Sequence, residues 1–160
     1  MNEIKVIKQI QGNTLKEIDI NYRPAVQLKE VPKISSSMDA VSYLRSVWGR
    51  RIEHVEEFLI LCLNRANLVL GYARISRGGL HDTVADPKVI FQVALKANAS
   101  SLILCHNHPS GNTEPSESDK ALTKRLVEAG KVLEIQVLDY VILTWDSYFS
   151  FADEGIFPER

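Results

Sequence analysis

The chain has 160 residues, a formal net charge of −1, 45% apolar residues and two cysteines. This length fits one ordinary domain with its own apolar core. Acidic and basic residues are interleaved without a run of Lys and Arg, which argues against strong sequence-independent binding of nucleic acid by this chain alone. We find neither a secretory leader pattern nor an apolar run long enough to cross a membrane, so we expect a cytoplasmic protein.

Residues 1–35 differ in pattern from the rest and are predicted to form an N-terminal extension. Polar and apolar residues alternate through EIKVIKQI and LKEIDINY around the turn signal Gly12-Asn13, which predicts a hairpin or two short strands. An exposed strand edge here could pair with a second copy of the chain, so a homodimer is a hypothesis. The main domain is predicted to span residues 36–160.

From residue 36 onward, helix caps and apolar runs predict alternating helices and strands. A serine cluster and Gly49 delimit a first helix, and Asp86-Pro87 is a strong start for a second. The third helix is predicted to begin at about Ser116 and to stop at Gly130. The predicted strands are residues 55–64, 68–76, 100–105, one or two within 132–144, and 148–151. This order, with some strands joined by short turns, predicts an α/β domain with a mixed sheet.

The segment CHNHPSGNTEPSESD carries the chemistry. His106 and His108 leave the end of a predicted strand two residues apart, so their imidazoles point to the same side. A turn-rich loop, residues 109–115, then delivers Asp119 one turn into the next helix, with its carboxylate directed back toward the helix start. Two imidazoles and one carboxylate suit zinc, and three protein ligands with an open fourth position are typical of a catalytic site.

A hydrolytic zinc site also needs a general base. Zinc lowers the pKa of its water to about 7, and Glu56 or Glu57 at the start of an apolar strand is the natural proton acceptor. A simpler interpretation stays open, in which Ser116 and Asp119 form a capping box that only satisfies helix amides. A His-x-His pair alone is weak evidence, so the prediction depends on the combination.

The two cysteines, Cys62 and Cys105, each lie within an apolar run that is predicted to form a strand. We interpret both as reduced, buried thiols. Cys105 precedes His106, but neighbouring side chains on a strand point to opposite faces. We therefore favour burial of Cys105 over a role as a metal ligand.

These residues resemble a known family. The His-x-His-Pro string at His106 and His108, followed by Ser116 and Asp119, is similar to the JAMM motif of the JAB/MPN metalloprotease superfamily. The longer string HNHPSG…PS…D, with EEFLILCLN upstream and VLDY and SFAD downstream, resembles the RadC branch over roughly residues 36–157. The resemblance implies a mixed β-sheet flanked by helices, an architecture related to that of the cytidine deaminases.

The resemblance also implies roles for individual residues. The two histidines and Asp119 would hold zinc with a water in the fourth place. The upstream glutamate of the motif falls on Glu56, with Glu57 as second choice, and acts in the family as general acid and base. Ser116 would donate a hydrogen bond to the developing oxyanion, which can lower a barrier by about 2.7–4 kcal/mol. We therefore predict a zinc-dependent hydrolase that cleaves an amide or isopeptide bond of a peptide substrate.

The chain departs from the family pattern at three places. Residues 1–35 lack the usual helix-hairpin-helix pattern, Tyr140 follows Asp139 where relatives commonly have Asp-His, and Cys105 stands where a small residue is common. The alternative function is a DNA-associated protein of repair or mobile elements, in which the zinc site serves nuclease or structural purposes. A nucleobase deaminase is disfavoured, because the Pro-Cys-x-x-Cys ligand signature is absent.

Overall fold

The computed structural model describes residues 4–6, 18–20, 31–78 and 85–158. Its elements, in chain order, are β1 (Ile4–Val6), β2 (Ile18–Ile20), α1 (Ser37–Trp48), a 3₁₀ turn (Gly49–Glu53), β3 (Glu57–Leu63), β4 (Val69–Arg77), α2 (Pro87–Lys96), β5 (Ser101–Asn107), α3 (Glu117–Leu133), β6 (Gln136–Leu143) and β7 (Tyr148–Ser150). Strands β1 and β2 pair antiparallel, as the alternating N-terminal pattern predicts. The predicted turn at Gly12-Asn13 lies outside the described residues.

The main sheet has five strands in the order β4-β3-β5-β6-β7. Strands β5 and β6 are parallel, whereas the other neighbouring pairs are antiparallel. Helix α3 connects β5 to β6. It is the crossover that a parallel pair needs, because the chain must return to the same end of the sheet before the next strand begins. The predicted α/β domain with a mixed sheet is therefore confirmed.

The first two helices begin where the sequence places their caps. The Ser36 side chain accepts a hydrogen bond from the Asp39 amide, and Gly49 ends α1 with a φ of 57° that favours glycine. The Asp86 side chain accepts from the Lys88 amide at the start of α2. Within the described part of the chain, no helix combines the length and the apolar character needed to cross a membrane.

The predicted end of α3 is wrong. Gly130 lies inside the helix, which continues to Leu133 and ends at Glu134 with a left-handed φ of 55°. The glycine is needed for a different reason, since a Cβ at this position would lie 2.4 Å from the carbonyl oxygen of Ile135. After the helix, the Ile135 amide donates back to the Gly130 carbonyl at 2.9 Å. Close approach of the returning chain, not a cap, explains this glycine.

We expect Gly130→Ala to destabilise the fold, although alanine is the better helix former. The added methyl group meets the Ile135 carbonyl at 2.4 Å, so the chain must shift. Overpacking of this kind costs about 1–3 kcal/mol. Urea unfolding measures the change, and Glu128→Ala at an exposed position of the same helix is the control. A variant as stable as the parent would show that the chain after α3 accommodates a side chain here.

Both faces of the sheet are covered by helices. One face packs against α1 and the 3₁₀ turn, with Leu59, Leu61, Leu63, Ile103 and Cys105 from the sheet. The other face packs against α2 and α3, with Phe58, Ile60, Cys62, Leu102 and Leu104. Every residue of β3 and β5 is therefore buried. This double burial explains why both strands read as continuous apolar runs.

The two cysteines lie on opposite faces of this sheet. Both are free and buried, as predicted. Burial raises the pKa of the Cys62 thiol to about 12. Burial, aided by the charge of Asp139, raises the pKa of Cys105 well above its ordinary value. Neither is a reactive thiolate at neutral pH.

Candidate metal centre

Three side chains converge at the end of β5. His106 is part of the strand and is 2% exposed, and His108 follows on the same side of the chain. One ligand atom from each of Glu56, His106 and His108 lies within 4.8 Å of the other two. These three residues could therefore hold a metal ion.

Strand alternation separates the two candidate glutamates. Glu56 directly precedes β3 and joins the histidines. Glu57 is the first residue of β3 and is 1% exposed. Its carboxylate lies 3.2 Å from Nε of Arg74 and 3.7 Å from Nε of Arg77. A buried carboxylate that is already paired with two arginines is poorly placed to exchange protons with a substrate. The geometry therefore favours Glu56 over Glu57 as the functional carboxylate.

The hydrogen bond of His108 fixes which of its nitrogens can bind a metal. Its Nδ1 lies 2.6 Å from the carbonyl oxygen of Asn112. A carbonyl only accepts, so Nδ1 carries the proton and donates it. In the neutral imidazole Nε2 then carries the lone pair, and this is the form that ligates metals.

A similar argument applies to His106 through a longer chain of contacts. Its Nδ1 lies 2.6 Å from the hydroxyl oxygen of Tyr140, and this hydroxyl donates to Oδ1 of Asp119 at 3.1 Å. Because the phenol has one proton and a carboxylate only accepts, the phenol oxygen accepts from Nδ1–H of His106. His106 therefore also presents a lone pair on Nε2.

The two Nε2 atoms lie 2.6 Å apart, beside the Glu56 carboxylate. With both imidazoles neutral and protonated on Nδ1, two lone pairs face each other at this distance, and a shared cation stabilises that arrangement. Burial lowers the pKa of His106 to about 4, which outweighs the opposing effect of Asp119, so this imidazole is neutral at pH 7. Neutral imidazoles beside a carboxylate fit a divalent cation such as zinc.

Asp119 approaches this group from the side of His106, with Oδ1 3.8 Å from Nε2. Its other oxygen, Oδ2, accepts from the Ser116 amide at 2.8 Å and the Ser116 hydroxyl at 2.6 Å, so the capping box is present. Burial raises the pKa of Asp119, but His106 and the hydrogen bonds from Ser116 and Tyr140 lower it by more. The pKa of Asp119 is therefore below its ordinary value. The carboxylate thus caps α3 with one oxygen and faces the site with the other.

Asn107, between the two histidines, has a role that sequence reasoning missed. It is fully buried, and its Oδ1 accepts from the Glu57 amide at 2.8 Å. Its Nδ2 donates to the carbonyls of Ile52 at 2.7 Å and Val55 at 2.9 Å. These bonds tie the segment that carries Glu56 to the strand that carries the histidines. The available signal was the strand alternation, which turns Asn107 away from its neighbours.

The fold and the site together define an α/β domain with a mixed sheet and a potential metal site at the end of a central strand. Residues 34–156 match the sequence model of the RadC-like JAB domain, and the chain belongs to this family. The resemblance inferred from the motif is therefore confirmed.

Relatives carry the name UPF0758 protein. One from Flavobacterium johnsoniae is 43% identical over 133 residues, which cover 83% of this chain and 57% of the relative. One from Staphylococcus haemolyticus is 37% identical over 99% of this chain and 76% of its own length, and one from Thermotoga maritima is 32% identical over 95% and 68%. The chain thus spans little more than half the length of the Flavobacterium protein.

Proposed function

We propose that the chain is a zinc-dependent hydrolase that cleaves amide or isopeptide bonds. The observation that carries the proposal is the close approach of the Nε2 atoms of His106 and His108, which lie 2.6 Å apart and beside Glu56. Asp119, with Oδ1 3.8 Å from His106 Nε2, is the proposed third ligand. In this proposal the metal ligands are His106, His108 and Asp119, and the Glu56 carboxylate transfers the proton.

Bound zinc would supply a Lewis acid that polarises a substrate carbonyl and acidifies a water molecule. The Glu56 carboxylate would accept the proton of that water and return it to the leaving amine, because its ligand oxygen lies within 4.8 Å of both histidines. The Asn107 amide holds the segment of Glu56 in place through the Glu57 amide and the Val55 carbonyl. General acid and base catalysis of this type contributes about 10²–10⁴-fold to a rate.

Ser116 is the proposed donor to the oxyanion of the tetrahedral intermediate. Its hydroxyl donates to Asp119 at 2.6 Å in this structure, so the role requires this proton to turn toward the substrate oxygen. The position at the start of α3 suits the role, because the helix dipole also favours negative charge there.

Metal analysis of the purified protein, followed by a substrate screen, tests the proposal. We expect about one zinc per chain and hydrolysis of a peptide or isopeptide substrate that stops on chelation and returns with zinc. A protein that binds no zinc after reconstitution, or that cleaves equally well without it, would contradict the proposal.

The same screen includes duplex and single-stranded DNA across a salt series. Binding that weakens steeply with salt, together with cleavage of DNA and not of peptides, would favour the DNA-associated alternative.

A further inference from the structure

We propose that Tyr140 is a positioning residue whose hydroxyl holds His106 with the proton on Nδ1 and the lone pair of Nε2 directed into the metal site. The inference rests on the proposed metal site and extends it to a residue on the neighbouring strand β6. Tyr140 lies on β6, His106 on β5 and Asp119 on α3. One hydroxyl therefore links side chains from three different elements.

The contacts of this hydroxyl are the first step of the argument. It lies 2.6 Å from Nδ1 of His106 and 3.1 Å from Oδ1 of Asp119. A phenol can accept one hydrogen bond while it donates another, which matches the imidazole N–H on one side and the carboxylate on the other. A hydrogen bond to the second nitrogen of a ligating imidazole orients the ring and increases its basicity.

The ring of Tyr140 is held firmly enough for this role. Tyr140 is 1% exposed, and its ring centroid lies 5.8 Å from that of Phe58 and 5.0 Å from that of Phe151. Its ring also packs against His106, with centroids 5.3 Å apart. Packing on several sides leaves the phenol oxygen little freedom, so it restricts the rotation of the imidazole.

The same packing makes the test clean. Phenylalanine keeps the ring and all of its aromatic neighbours, so Tyr140→Phe removes only the oxygen atom and its two hydrogen bonds. Tyr148 on β7 packs with the core on the α1 face, away from the histidines, so Tyr148→Phe is the matched control. Urea unfolding verifies that both variants fold.

Zinc affinity, measured by competition with a chelating indicator, is the first readout. We expect Tyr140→Phe to bind zinc about 10–100-fold more weakly than the parent, and Tyr148→Phe to match the parent. The second readout is the imidazole N–H signal of His106 in NMR spectra of the zinc-loaded proteins. The parent should show a slowly exchanging Nδ1–H, which the Tyr140→Phe variant should lose.

The outcomes separate this inference from the function on which it rests. Equal zinc affinity of the parent and Tyr140→Phe would overturn the role of Tyr140 while the metal site stands. Failure of the parent itself to bind zinc would overturn the metal site, and the role of Tyr140 with it. Weaker binding by Tyr140→Phe with a lost Nδ1–H signal supports the inference whether or not a substrate has been found.

Discussion

Replacement of Glu56 by Gln is expected to lower the rate of hydrolysis by about 10²–10⁴-fold while zinc stays bound. The amide has nearly the shape of the carboxylate but cannot accept a proton from water. The proposed ligands His106, His108 and Asp119 are untouched by the change. Zinc content by elemental analysis and initial rates on the same samples measure the two effects separately.

Two further variants serve as controls for the Glu56→Gln result. His108→Ala removes one lone pair and should lose both zinc and hydrolysis. Glu57→Gln changes the adjacent carboxylate, which pairs with Arg74 at 3.2 Å, and should leave the rate per folded molecule unchanged. Loss of zinc from Glu56→Gln would instead identify Glu56 as a ligand, in line with its place in the 4.8 Å group. An unchanged rate would remove it from the mechanism.

Replacement of Asn107 by Ala is expected to lower the free energy of unfolding by about 3 kcal/mol or more. The change leaves one buried amide, that of Glu57, and two carbonyls, those of Ile52 and Val55, without their partners. Each buried polar group without a partner costs about 1–3 kcal/mol. Urea unfolding of the metal-free protein measures the loss without a contribution from zinc.

Asn64→Ala is the matched control. The Asn64 Oδ1 also accepts from two backbone amides, those of Ala66 at 2.9 Å and Leu68 at 3.0 Å, but in a turn that water reaches. Water can replace these bonds, so a loss of about 1 kcal/mol is expected. If both asparagines cost the same, Asn107 does not hold its segment in the way the structure indicates. Asn107→Asp should be no better than Asn107→Ala, because it loses both donors and buries a charge.

Much of the fold follows from local signals. The capping serines, Asp86-Pro87 and the apolar runs of β3 and β5 predict their elements because each signal acts within a few residues. Gly130 is a position where local signals led to a wrong prediction. A glycine near the end of a helix predicts a cap. The real requirement for this glycine is the close approach of the Ile135 carbonyl, which is visible only in the folded structure.

The site was predictable to the same local extent. His106 and His108 share a side because they are two residues apart, and Asp119 follows from the short loop. The family resemblance favoured Glu56 over Glu57, but the physical basis of that choice is the pairing of Phe58 with His106 across two strands, which no local pattern encodes.

Tyr140 was noted in the sequence only as a departure from a family pattern. It reaches His106 because β5 and β6 are parallel, with Leu104 beside Tyr140 in the register. That relation spans 34 residues and a whole helix. Contacts at this separation come from tertiary packing, so the hydrogen bond could not be derived from the motif.

The tripeptide His106-Asn107-His108 serves both sides of the sheet at once, with imidazoles on one side and a carboxamide on the other. A slip of this strand by one residue would exchange the two sides. The slipped chain would present an amide to the proposed metal site and place an imidazole among the backbone groups that need Asn107. The proposed metal site and the hydrogen bonds that hold its neighbouring segment therefore depend on one strand register, and a molecule misaligned at this strand loses both together.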